Sequence, residues 1–285
     1  MERFIDTLKI SSLLALAFLT IGCESSLQSL QPENSQNIVG GRSSKNSDLA
    51  SQYVAMLHDA FTNKLCTSVI IDDRVLLTAA HCVTKELRGL TVAFGADPLS
   101  GRYVLRSAKD VIFHDRHNAP IRNEQVDLAL LLLDQNIPLG YKPVTLPNHF
   151  FPLMPQLNFT AIGYGRTHGR SNTDINNSGK LRQVNLEVMS VSADSLSFFV
   201  DQSHNKGICT GDSGGPALVK YNDQHYVIGI ASATSWIIPS EVSDQNKNDY
   251  LNTVDLCSYK SIYVNLTTQS EWLKKSIKIL KDKAR

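Results

Sequence analysis

Three short segments carry side chains that could do covalent chemistry. Residues 209–216 read CTGDSGGP, with Ser213 between Asp212 and two glycines. Residues 78–82 read TAAHC and present His81, and residues 126–131 read VDLALL and present Asp127. A serine hydroxyl is a weak nucleophile near neutral pH and needs an adjacent imidazole as base. The imidazole needs a buried carboxylate to hold its tautomer and stabilise its cationic form. His, Asp and Ser in that chain order, on a chain rich in strands, is one arrangement in which this chemistry recurs. The plainer reading of each is a core histidine, a turn acid and a turn serine.

Gly211 to Gly215 also fits G-x-S-x-G, the nucleophile elbow of α/β-hydrolases, which needs a following helix and then an acid and a histidine. Here Pro216 and another strand pattern follow Ser213, and the only later histidine, His225, stands at the edge of a strand. The elbow fails, which argues against a lipase or esterase.

The chain has 285 residues, 42% hydrophobic and 19% charged, with net charge +1. That suits a globular protein with one large or two small cores. Near-neutral charge without a basic run argues against nucleic acid as a partner. His114 and His117 stand three apart with no Cys or Glu nearby. There is no HExxH, no cysteine pair at zinc spacing and no phosphate-cradling glycine loop, so neither a metal nor another cofactor is expected.

Residues 10–22, ISSLLALAFLTIG, form an apolar run too short for an ordinary membrane span, preceded by Arg3 and Lys9. It reads as a signal peptide over residues 1–22. LTIGCESS resembles a bacterial lipoprotein processing site with Cys23 as first mature residue and lipid acceptor, although Thr20 stands where Leu, Val or Ile is usual. The other reading is a plain export signal with an incidental cysteine. Either way the protein is exported, to an extracellular, periplasmic or lipid-anchored location. There are five cysteines, Cys23, Cys66, Cys82, Cys209 and Cys257. With Cys23 lipidated, the other four allow three pairings.

Residues 24–37, ESSLQSLQPENSQN, are polar and aperiodic, a tether or pro-segment. From residue 38 onward, short β patterns alternate with turn residues. They include YVAML from 53, TSVIIDDRVLLTAA from 67 with an Asp-Asp turn, DLALLLL from 127, FTAIGYG from 159, LRQVNLEVM from 181, HYVIGIAS from 225 and SIYVNL from 261. So many short strands predict paired barrels or a sandwich. The proline-rich stretch 141–156 divides them into two groups. A helix closes the chain: Thr268-x-x-Glu271 forms a capping box, and Leu273, Ile277 and Leu280 share one face.

TAAHC, the Asp127 strand and GDSGGP together resemble the trypsin/chymotrypsin family of serine endopeptidases. IVGG at 38–41 is similar to the activated N-terminus of that family. The resemblance runs from Ile38 to the terminal helix and implies an all-β fold of two six-stranded antiparallel barrels packed face to face, with a C-terminal α-helix. It places the first barrel at about 38–140, the linker at 141–156, the second barrel at about 157–266 and the helix at 268–283. It implies a peptidase domain over 38–285 behind a pro-segment at 23–37, with His81, Asp127 and Ser213 catalytic. The Gly211 and Ser213 backbone N–H groups would form the oxyanion hole. Cleavage before Ile38, by an activating protease or by the enzyme itself, would create an ammonium group that pairs with Asp212. The resemblance pairs Cys66 with Cys82 and Cys209 with Cys257. Substrates would be proteins or peptides, and a membrane would be met only through lipid on the precursor.

In this family the specificity-pocket base falls at Gly207, followed by Ile208; neither is charged, so cleavage after basic residues is not expected. Ser232 would begin the segment that pairs with the substrate backbone, with Thr234 and Ser261 as pocket walls. Branched or larger residues at such positions narrow a pocket, which implies small or medium uncharged side chains before the scissile bond. Residues 235–256 form a longer connection than the family's usual one, either a lid or a surface excursion.

Overall fold

The computed structural model describes residues 38–121, 124–170, 177–235, 238, 240 and 242–284. The signal, lipid-acceptor and pro-segment expectations therefore lie outside the described residues. A two-residue strand β1 (Arg42–Ser43) is followed by β2 (Val54–Asp59), β3 (Lys64–Asp72), β4 (Val75–Thr78), β5 (Leu90–Phe94), β6 (Val104–Phe113) and β7 (Ala129–Leu133). β2 to β7 close into an antiparallel barrel in the order β2-β3-β4-β7-β6-β5. Closure removes the exposed sheet edges that a strand-rich chain would otherwise present. β4 and β7 are buried along their whole length, and every position in them but Thr78 is apolar.

The second half contributes β8 (Asn158–Gly163), β9 (Arg182–Glu187), β10 (Ser190–Val191), β11 (Ser197–Asp201), β12 (Pro216–Tyr221), β13 (Gln224–Ser235) and β14 (Lys260–Asn265). They form one antiparallel sheet in the order β1-β9-β8-β12-β13-β14-β11-β10, six longer strands flanked by the two-residue strands β1 and β10. Its core gathers Phe159, Phe198 and Tyr263, whose rings lie 5.0–5.8 Å apart, together with Ile38 and Ile208.

The 235–256 connection carries a short helix α1 (Lys247–Thr253) with no buried side chain. The terminal helix α2 spans Ser270–Lys283 and buries Leu273, Ser276 and Leu280. The capping box expected at Thr268 does not form. A 3₁₀ turn over Leu266–Thr268, held by the Asn265 side chain accepting from the Thr267 N–H, moves the cap to Gln269. Among the described residues, no helix is long and apolar enough to cross a membrane.

Candidate active site

His81 sits in a 3₁₀ turn, Ala80–Cys82, directly after β4. Thr78, Ala79 and Ala80 are fully buried there, so only the histidine can reach outward. Asp127 lies just before β7, between buried Val126 and Leu128, an anchorage that aims its carboxylate back at the turn. The two meet: Asp127 Oδ2 lies 2.7 Å from His81 Nδ1, and Oδ1 accepts from the His81 backbone N–H at 2.9 Å. A third contact comes from the other half of the chain, where the Ser232 hydroxyl donates to Asp127 Oδ2 at 2.6 Å. Burial by itself would raise the Asp127 carboxyl. The hydrogen bonds and charge it receives from His81 and Ser232 outweigh that and hold it below the ordinary carboxylate range.

Ser213 arrives from the loop between β11 and β12, and the two halves are stitched together at this loop. The Ser213 carbonyl accepts from the Thr67 N–H at 2.8 Å, the Thr67 hydroxyl donates to the Gly211 carbonyl at 3.0 Å, and the Thr78 hydroxyl donates to the Thr67 carbonyl at 2.8 Å. Cys66 and Cys82 are bridged, S–S 2.00 Å. The Cys82 sulfur lies 3.8 Å from His81 Nε2 and 3.6 Å from the Ser213 carbonyl oxygen, so the bridge touches both residues. These sulfurs and His81 are also the one group of potential metal ligands clustered among the described residues, but both sulfurs are committed to the disulfide.

Gly211 has φ +101°, a conformation that suits glycine, and a Cβ there would meet the Gly165 Cα at 2.8 Å. Among the described residues, the N–H groups of Gly211 and Ser213 donate to no acceptor. Two free backbone donors beside a serine can take charge that develops on a bound carbonyl. An open cleft of about 640 Å³ is lined by His81 and Asp127 together with His117, Gln125, Phe199 and Ile262.

The Trypsin family matches residues 38–256. The chain belongs to the trypsin family. Similar proteins include seminase of Drosophila melanogaster, 30% identical over 217 residues that cover 71% of this chain and 74% of that protein. Human granzyme M is 27% identical over 223 residues, 73% of this chain and 81% of its own. A trypsin of Phaedon cochleariae is 24% identical over 234 residues, covering 77% of this chain and 86% of its own. The protein is accordingly a serine-type endopeptidase, a hydrolase acting on proteins or peptides.

The remaining expected positions of the peptidase fall as follows. Cys209 and Cys257 are bridged, S–S 2.04 Å. Asp212 is fully buried. Its Oδ1 accepts from the Gly165 N–H and its Oδ2 from the Cys209 N–H, each at 2.8 Å. Burial pushes its carboxyl up to about 7, against the opposing pull of those two bonds and of the Arg182 guanidinium. Ile38 is fully buried in the second core, and the neighbouring Val39 carbonyl accepts from the Gly207 N–H at 3.0 Å. Ser232 stands at the irregularity of β13 between Ala231 and Ala233, and Thr234 pairs with Ser261 of β14. β12 pairs with β13 only as far as Ile230, so residues 232–235 keep one backbone edge unpaired by it.

Sequence reasoning missed Thr67, the tie between the halves, and Gln202, fully buried against Gly207. Neither has a local signal. Thr67 is one polar residue in a strand pattern, and Gln202 is one amide in a polar loop. Ser232 was legible as part of a substrate-pairing strand but not as a donor to Asp127. His114 is buried with its ring 4.7 Å from that of Trp272, while His117 stacks on Phe113 and faces the cleft.

Proposed function

We propose that this peptidase is an exported zymogen that cleaves peptide bonds through Ser213, with His81 as base and Asp127 orienting it. The observation that carries the reading is the paired Asp127–His81 contact at 2.7 and 2.9 Å, beside a serine tied to the same seam through Thr67. In the first step the Ser213 Oγ attacks the scissile carbonyl carbon while His81 Nε2 takes the hydroxyl proton. The carbonyl oxygen gains negative charge and lies against the free N–H groups of Gly211 and Ser213. Collapse expels the amine, which receives the proton from His81, and leaves an acyl-Ser213 ester. Water, deprotonated by His81, then releases the acid and restores the serine.

Activation by cutting Asn37–Ile38 is supported from two sides. A buried carboxyl at Asp212, with no ammonium beside it among the described residues, is a site prepared for a cation. Ile38 has φ +33°, which is costly for a β-branched residue, and cutting the preceding bond abolishes that dihedral. The unpaired edge of 232–235 suits a substrate added as a strand. Gly207, Ile208, Thr234 and Ser261 carry no charge, which supports small or medium uncharged residues before the scissile bond. A signal over residues 1–22, and lipid on Cys23 of the precursor, would place the cut between anchor and domain. Cleavage would then free the enzyme.

The test is labelling by a fluorophosphonate. Ser213 should label in the activated protein together with hydrolysis of peptide amides, and N-terminal sequencing should find Ile38 first. Absence of labelling in a folded protein cut at Ile38 would sink the reading in favour of a peptide-binding relative.

A further inference from the structure

A second open cavity, of about 610 Å³, lies on the second sheet and shares no lining residue with the cleft at His81. Five strands that are neighbours in that sheet line it: β1, β9, β8, β12 and β13. Arg42 of β1 stands opposite Gln183 of β9, and Asn185 of β9 opposite Thr160 of β8. Thr160 in turn faces Leu218 of β12, and Lys220 of β12 faces His225 of β13. Lys206 joins from the loop before Gly207. Its stem lies over Gly40, where a Cβ would come within 2.8 Å of the Lys206 Cγ.

The lining carries three cations, Arg42, Lys206 and Lys220, against one carboxylate, Asp48. Asp48 Oδ2 accepts from Arg42 Nη1 at 3.0 Å. The Gln183 carboxamide, turned so that its oxygen faces the guanidinium, accepts from Arg42 Nε at 2.9 Å. Arg42 is thereby held in place with most of its side chain still exposed. Lys220 meets Asp223 at 2.9 Å, but that acid stands almost wholly in water, and such pairs contribute little. Lys206 is exposed and pairs with no carboxylate among the described residues. Burial, and then the charges of Lys220 and Lys142, push the His225 imidazole below its ordinary range, so the positive field reaches the fifth strand.

We propose that this cavity is a binding site for an anionic oligosaccharide, sulfated or carboxylated. Arg42 and Lys220 stand three strand spacings apart, about 14 Å, so one oxyanion cannot meet both and the ligand must repeat its charge. Between them lie neutral groups suited to sugar hydroxyls. The Thr160 hydroxyl donates to Asn185 Oδ1 at 2.9 Å, which leaves the Asn185 amide protons and the Thr160 oxygen lone pairs to a ligand. An acidic peptide is disfavoured, because a peptide added as a strand needs an unpaired edge. β9, β8 and β12 are each paired on both sides and offer side chains alone. With the cleft elsewhere, the site would hold the enzyme on a charged glycan while it cuts.

The experiment titrates the full chain with a heparin-derived hexasaccharide and with hexagalacturonate, by calorimetry. One of the two should bind at about 50 mM NaCl and weaken by about tenfold or more at about 500 mM, because exposed charges are screened. The tighter of the two identifies sulfate or carboxylate as the charge. Lys206→Gln and Lys220→Gln should each lower affinity by about fivefold or more. Asn185→Ala, which leaves every charge in place, should lower it by about threefold. Lys275→Gln, on the exposed side of α2, should change it by less than about twofold. All four positions are exposed, so the variants should fold. Hydrolysis of a short peptide amide should be unaffected at saturation. Four results overturn the assignment: no binding of either saccharide, an equal loss in Lys275→Gln, hexaglutamate or inorganic sulfate binding as tightly as the saccharide, or competitive inhibition of hydrolysis, which would put the ligand in the cleft.

Discussion

With Asn37–Ile38 intact, Ile38 has no free ammonium to offer Asp212, and the burial of this carboxyl is readable as a pH dependence of stability. Burial raises the carboxyl from 3.8 to about 7 despite hydrogen bonds from Cys209 and Gly165 and the charge of Arg182. Between about pH 4 and pH 7 the folded chain therefore keeps a proton that the unfolded chain has lost, so stability is greatest below that window, falls through it and levels off above. The full fall is about 4 kcal/mol for a displacement of this size. Asp212→Asn stays neutral throughout. Against its Asp212 parent, in a Ser213→Ala background that prevents self-cleavage, the variant should gain about 4 kcal/mol in relative stability from pH 4 to pH 8. Losing one of the two acceptors adds only a constant offset, and other titrating groups cancel in the difference. Urea unfolding at four or five pH values reads this directly. In the chain cut before Ile38 the tilt should vanish or reverse, because an ammonium at Ile38 would favour the ionised carboxylate. A difference independent of pH in the uncut protein, or one that favours the parent as pH rises, would refute the argument.

Three further outcomes are expected. Ser213→Ala and His81→Ala should each lower turnover by about a million-fold and the double variant should be little worse, because the groups act as a unit; a tenth of the parent rate in Ser213→Ala contradicts the mechanism. Ser232→Ala removes a 2.6 Å bond to the Asp127 carboxylate and should reduce kcat by about tenfold or more, the usual scale for a hydrogen bond to a charged group. An unchanged kcat would show that Ser232 only pairs with substrate. Ile38→Pro should block cleavage and leave a membrane-bound, inactive precursor, followed by fractionation and N-terminal sequencing. Activity in protein that still carries residues 24–37 would sink the zymogen proposal.

The family was legible in the sequence because its signals are local. TAAHC, the apolar run after Asp127 and GDSGGP each fit in a few residues, and β4, β7, β8, β9 and β14 show the apolar patterns of buried strands. β5, β6 and β11 did not stand out. In β6, VLRSAKDVIF mixes charge with apolar residues because no position of the strand is fully buried. The terminal helix was visible from its face, but its first turn was not, since a 3₁₀ turn held by Asn265 competes with the capping box. What only the tertiary structure decided are contacts between segments distant along the chain. Thr67 bonds Gly211 across 144 positions, Ser232 bonds Asp127 across 105, and Gln202 fills the space left by Gly207 while bonding Cys257 across 55. Such pairs impose no periodicity or composition on their surroundings, so one polar residue in a strand or loop carries no trace of its partner. Burial and hydrogen-bond satisfaction become visible only when the sheet has brought both segments to the same place.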